Sequence, residues 1–196
     1  MSDGPPPALI LICRLLSELF EKFGRLHRGD PPRVIQGAAG IRDKVPRLAE
    51  QLHAIVVHHD HYFLKTFVRY RDRVDDTFEG PENVDWPRLR EDVMWHLQQT
   101  PVVAEGHLLA VDQELISAAK LCVILHCTAE VCRSRRLNRR HRPEEELEEL
   151  ADYIDKFVWP SFLQYGQPAL TSLEKFCSEA GKPLRVLDAS LEPAKL

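Results

Sequence analysis

Short apolar runs alternate along the chain with stretches in which apolar positions recur every three or four residues. Five runs, Leu9 to Ile12, Ala54 to Val57, Val102 to Ala104, Leu121 to Cys127 and Leu184 to Leu187, are rich in Val, Ile and Leu. Runs of that length and composition suit strands buried on both faces. Between them the spacing predicts helices. From Cys13 onward Leu15, Leu16, Leu19, Phe20 and Phe23 repeat at helical period, with Arg14, Ser17, Glu18, Glu21 and Lys22 on the other side. Asp85 stands where it can cap a helix that carries Trp86, Leu89, Val93 and Leu97 inward, and Asp112 where it can cap one running through Ala119. Further helices are expected from about Ala129, from Glu144 to Phe157, and from about Ala169 to Ala180, the last closed by Gly181. Strands alternating with helices predict an α/β fold, a five-stranded parallel sheet with helices on both faces. Ligands of such sheets sit at the carboxyl ends of the strands.

The chain has 196 residues, 44% apolar and 29% charged, which fits one well-buried domain over residues 8–196 behind a frayed tail, MSDGPPP. Residues 24–53 mix Gly, Pro and Arg with only a weak helix signal in Arg47 to Leu52, and read as an inserted surface loop. A net charge of −4 offers no general attraction to nucleic acid or to an anionic membrane. The basic block RSRRLNRRHR (133–142) is followed at once by PEEELEE, so the two nearly cancel. No run approaches a membrane span and the start lacks the basic residues of a signal peptide, so a cytoplasmic location is expected. Five cysteines, Cys13, Cys122, Cys127, Cys132 and Cys177, form no CxxC pair and are odd in number. That pattern suits a reduced compartment better than a disulfide framework.

Chemistry concentrates at two strand ends. The second run leads into HHDHYF (58–63) and the third into Glu105 and Gly106, so each places a carboxylate where two such groups can share a magnesium ion, a substrate hydroxyl, or both. An arginine-rich helix follows the fourth strand. Two acids with a cluster of cations over one sheet edge suit phosphoryl transfer, where catalysis is mostly positioning and charge neutralisation. Plainer roles stand beside these. Asp60 and Glu105 serve equally as solvated strand-end acids, and capping alone explains Asp85. Tyr62 and Phe63 suit either a stacked base or the core. The arginines of 133–142 suit a solvated helix face, and no interleaved aromatics favour RNA. In His58, His59, Asp60 and His61, alternation along an extended strand lets only His59 with His61, or His58 with Asp60, converge, which argues against a transition-metal site.

HHDHYF followed by FEGPENVDWPRL, VVAEGHLL, CTAEVCRSRRLNRR, YIDKFVWPSFLQYG and RVLDAS resembles, in order and spacing, the nicotinamide riboside kinase and uridine kinase branch of the P-loop kinases. The resemblance spans roughly residues 54 to 190, with Trp159 and Pro160 pointing to the nicotinamide riboside side. It implies ATP-dependent phosphorylation of a ribonucleoside 5'-hydroxyl, with Mg2+ and ATP as cofactors and a small nucleoside as partner. It also implies that Asp60 acts on the 5'-hydroxyl, that Glu105 assists with magnesium or as base, and that Asp85 holds ribose hydroxyls. Tyr62, Phe63 and Arg139 would then face the substrate, and Arg133 and Arg136 the phosphates, on a lid over 129–157.

One part of that pattern is missing. In the family the first strand and helix flank a GxxxxGK[ST] loop, whereas here ALILI joins CRLLSELF directly, as though about a dozen residues had been removed. RVIQGAAGIRDKV (33–45) is a poor substitute: Asp43 precedes Lys44 where glycine belongs, Val45 replaces the hydroxyl that binds magnesium, and Lys44 is one place too far from Gly37. ATP binding is therefore expected to be weak or absent while nucleoside binding survives. The alternative is a non-catalytic protein that binds a nucleoside or a partner.

Overall fold

At the centre of the sheet lies β1 (Leu9–Arg14), and its residues divide cleanly between two cores. A computed structural model of the chain describes residues 7–14, 41–66 and 68–189. The other strands are β2 (Ile55–His58), β3 (Val102–Gly106), β4 (Leu121–His126) and β5 (Leu184–Asp188), all parallel, in the order β2-β3-β1-β4-β5. On one face Leu9, Leu11 and Cys13 join Val57, Val102, Ala104, Cys122 and Ile124. They meet α2 (Trp86–Leu97) through Leu89 and Val93, α3 (Gln113–Ala118) through Leu115 and Ile116, and α7 (Gln167–Glu179) through Leu170 and Leu173. On the other face Ile12, Val103 and Val123 meet Val45 and Ala49 of α1 (Ile41–Gln51). Every second residue therefore serves each core, the period of a strand covered on both sides.

All five expected strands form, and Asp85 and Asp112 cap α2 and α3, accepting from the backbone N–H of Arg88 and Leu115. Three expectations need correcting. Cys13 and Arg14 continue β1 instead of opening a helix, because they pair in register with Gly106, Ile124 and Leu125; sheet hydrogen bonds and burial outweigh a helical spacing. The rest of that predicted helix, and residues 24–40 of the expected inserted loop, lie outside the described residues, while Ile41–Gln51 is a helix packed on the sheet. Finally, the helices expected at 144–157 and 169–180 are one unbroken helical path from α5 (Glu144–Tyr153) through α6 (Trp159–Ser161) to α7. Wide π turns, Ile154–Val158 and Phe162–Gly166, precede Pro160 and Pro168. Proline lacks an N–H for the carbonyl four residues back and crowds it, and a widened turn moves that carbonyl aside.

A tight connection through residues 52–54 joins α1 to β2, so α1 runs antiparallel to the strands and its first turn lies toward their carboxyl ends. After β4 the chain enters α4 (Ala129–Asn138) through its cap Thr128, and there Cys127 and Cys132 are joined in a disulfide. This corrects the expectation of reduced cysteines: the first turn of α4 folds Cys132 back over Cys127, a local pairing that the odd count and the lack of CxxC did not reveal. Cys13, Cys122 and Cys177 are buried thiols. Among the described residues no helix is long and apolar enough to cross a membrane.

Lys182 closes α3 from across the fold: its Nζ donates to the carbonyls of Ile116, Ser117 and Ala119 at 2.8, 2.8 and 2.6 Å. A cation on the last carbonyls of a helix satisfies groups left unpaired there and faces the negative end of the helix dipole. Lys182→Met keeps the stem and removes the donors, and is expected to cost about 1–3 kcal/mol in urea unfolding; a loss under about 0.5 kcal/mol would show that water replaces it.

Candidate functional site

The register of β2 and β3 sets His58 opposite Glu105, on the face that α1 covers. Glu105 is 2% exposed, and His58 Nδ1 lies 2.6 Å from its Oε1. When Glu105 is ionised its carboxylate only accepts, and the proton of this contact then sits on His58 Nδ1. On its other side Glu105 pairs with Ile12 of β1. The carboxylate thus sits at the carboxyl end of an inner strand, as expected.

Beyond His58 the chain stops being extended and winds into a 3-10 turn, His59–Tyr62. His59 goes inside, wholly buried, with its ring 5.1 Å from Phe63, 5.6 Å from Trp86 and 5.3 Å from His107 between centroids. Gly106 permits this. A Cβ there would stand 2.4 Å from the Cβ of His59, so only glycine lets the end of β3 lie against it. Asp60 is left half-buried at the sheet edge, its Oδ1 3.8 Å from His59 Nδ1. An antiparallel bridge from Phe63 to Val84 then returns the chain, and the Asp85 N–H donates to the Tyr62 carbonyl at 2.8 Å. Asp85, capping α2, is therefore tied to the segment that carries Asp60.

Tyr62 is committed to the protein. It is buried, its hydroxyl donates to Asp92 Oδ2 at 2.7 Å, and the Arg88 guanidinium lies 5.6 Å from its ring centre. Burial, with the Asp92 carboxylate beside it, pushes its pKa up to about 12. Phe63 is partly buried, packed on the core and edge-on to His59 and His107.

The arginines after β4 divide into clasps and exposed groups. Arg133 makes a two-pronged pair with Asp155 at 2.9 and 2.8 Å. Arg142 is buried, bonded to Glu146 at 3.0 Å and to the carbonyls of Arg136 and Leu137; it fastens α4 to α5. Arg140 also reaches Glu146. Arg136 has no ion pair among the described residues, and Arg139 is exposed just past α4. A surface cleft of about 360 Å³ lies between Arg69, Tyr70 and α5, lined by Arg140, Glu145 and Glu149. None of Asp60, Glu105 and Asp85 lines it. Strand-end logic weighed His58 and His59 with the wrong partners and missed His107. The signal was Gly106, a glycine at a strand end beside a histidine, which marks a close approach of another group.

No family model matches the chain, and no curated protein matches it. Among solved structures it is similar to a protein described as a fructose transport system kinase from Silicibacter sp. TM1040, at 12% identity and a TM-score of 0.50, over 95% of this chain and 91% of that one. A gluconokinase from Sinorhizobium meliloti 1021 matches at 14% identity with a TM-score of 0.40, over 89% and 96% of the two chains, too slight a likeness to build on. At such identity the first likeness speaks of fold alone, a five-stranded parallel α/β architecture that the two chains share.

Proposed function

We propose that this chain binds a ribonucleoside of the nicotinamide riboside or uridine type at the carboxyl edge of β2 and β3, in the acceptor half of a nucleoside-kinase site whose ATP half is impaired. The observation that carries this is the meeting of β2 and β3: buried Glu105 bonded to His58, with Asp60 two residues farther along at the same edge and Asp85 tied in through the Phe63–Val84 bridge. In this reading Asp60 accepts the 5'-hydroxyl and Asp85 a ribose hydroxyl, while Phe63 borders the base; Tyr62 stiffens the wall from behind. Arg136 and Arg139 approach from the lid as cations for a phosphate, and Arg133 holds the lid to Asp155.

The acidic groups fit magnesium, since Asp60 and Glu105 are oxygen donors of the kind it takes, and the ion would supply charge neutralisation at a transferring phosphoryl group. The ATP side does not fit. Val45, at the place of the magnesium-binding hydroxyl, is 3% exposed and packed against Ile12 and Val103, with no oxygen to offer. One observation favours a working kinase instead: Lys44 lies near the start of α1, whose first turn is directed toward the strand ends. The likeness to a protein described as a fructose transport system kinase makes a sugar hydroxyl the natural comparison ligand.

Isothermal titration with uridine, nicotinamide riboside and fructose tests this. One of the nucleosides is expected to bind at least about tenfold more tightly than fructose, and Asp60→Asn to weaken it by about 10- to 100-fold, the worth of a hydrogen bond to a charged acceptor. Absence of nucleoside binding at millimolar concentration, or an Asp60→Asn variant that binds as well as the parent, would refute the assignment.

A further inference from the structure

His59 has no business in an apolar core unless something engages it. It is wholly buried among Phe63, Trp86 and His107, yet neither ring nitrogen has a hydrogen-bond partner among the described residues. Buried polar groups are almost always satisfied, and an orphaned imidazole points to a missing water or ion. Two further donors converge on the same point: a carboxylate oxygen of Asp60 and a ring nitrogen of His107 lie, with a nitrogen of His59, within 4.8 Å of one another.

We infer that His59, Asp60 and His107 form a binding site for a divalent transition-metal ion of the zinc type. Donors about 2.0–2.1 Å from a tetrahedral ion lie roughly 3.4 Å apart. The His59–Asp60 separation of 3.8 Å is close to that without any change of fold. Two imidazoles and one carboxylate are the donor set of zinc and its neighbours, whereas magnesium takes oxygen ligands and keeps its water. The backbone holds the set together. Gly106 presses β3 against His59 and aims His107, the next residue, at it, while the 3-10 turn places Asp60 beside the ring. Three protein ligands leave a fourth position, and Asp60, with about a third of its side chain exposed, gives the ion a route in from solvent. Strand alternation hid this set, because it pairs His59 with His61 and the turn breaks the alternation right after His58.

The site shares Asp60 with the nucleoside assignment but rests on the two histidines, and its test uses no nucleoside. The full chain, stripped with a chelator, is titrated with Co2+ while the visible d–d absorption is followed, and Zn2+ is then added as competitor. One Co2+ per chain is expected, with an absorption intensity of low coordination number, displaced by stoichiometric Zn2+ and untouched by millimolar Mg2+. His107→Ala, at a partly exposed position, is expected to weaken binding by at least about tenfold with the circular dichroism spectrum unchanged. Asp60→Asn provides the second ligand test should His107→Ala unfold. His141→Ala should bind as the parent does. No absorption at millimolar Co2+, or undiminished affinity in both His107→Ala and Asp60→Asn, would overturn the site.

Discussion

Mg-ATP is expected to bind the purified chain with a dissociation constant above about 1 mM, at least about 10³-fold weaker than a micromolar phosphate cradle, a difference of about 4 kcal/mol. A triphosphate is held by an arc of backbone N–H groups at a helix start, a lysine, and a hydroxyl that shares its magnesium. The sequence has no GxxxxGK[ST] to supply them together. Where α1 meets β1 and β3 the hydroxyl position is Val45, buried against Ile12. A helix start alone attracts an anion by only about 0.3–1 kcal/mol when exposed, far short of the missing amount. Phosphoryl transfer should suffer with binding, falling at least about 10³-fold below the 1–100 s⁻¹ typical of kinases. Micromolar affinity would reverse this, and Lys44→Ala would then show whether the start of α1 had become the phosphate site: loss of ATP binding in that variant assigns it to α1.

The strands were legible because burial on both faces leaves no polar position to interrupt a short apolar run, as in VVAEG and LCVILH. Caps were legible for a local reason: Asp85 and Asp112 each need only the N–H three residues on. What failed depended on partners remote in sequence. Cys13 and Arg14 have helix-like neighbours and belong to β1 because Gly106 and Leu125 are there to pair with them. The two late helices looked separate because proline normally ends one, and the π turns that let the path continue have no local spelling.

At the site, Glu105 and Asp85 could be placed from a strand end and a cap, and the structure sets Glu105 against His58 and ties Asp85 to the Tyr62 carbonyl. The direction of the side chains could not. Extended-strand alternation pairs alternate residues of HHDHYF, but the chain turns after His58, so His59 and Tyr62 go in while Asp60 stays at the edge. Tyr62 accordingly ends against Asp92 of α2, thirty residues away, a contact that no window of the sequence contains.

Leu11→Ala is expected to cost about 3–5 kcal/mol, a large part of the roughly 5–15 kcal/mol that holds a domain folded. Leu11 is wholly buried in the middle of the central strand. Its register neighbours on the same face are Ala104 of β3 and Cys122 of β4, both small, so Leu11 supplies most of the apolar volume at that level of the sheet. Truncation leaves a cavity whose walls are strands fixed by their hydrogen bonds on either side, and such a site relaxes little; the loss is the transfer term plus most of the cavity term. Val74→Ala is the matched surface change: Val74 is 81% exposed, and its truncation should fall within about 0.5 kcal/mol of zero. Urea unfolding of the two variants beside the parent gives the comparison, with the slope against urea checked for constancy. Should Leu11→Ala cost less than about 1.5 kcal/mol, β1 would not be the strand on which both layers of the core are built, and the placement of Glu105 between β1 and β2 would fall with it.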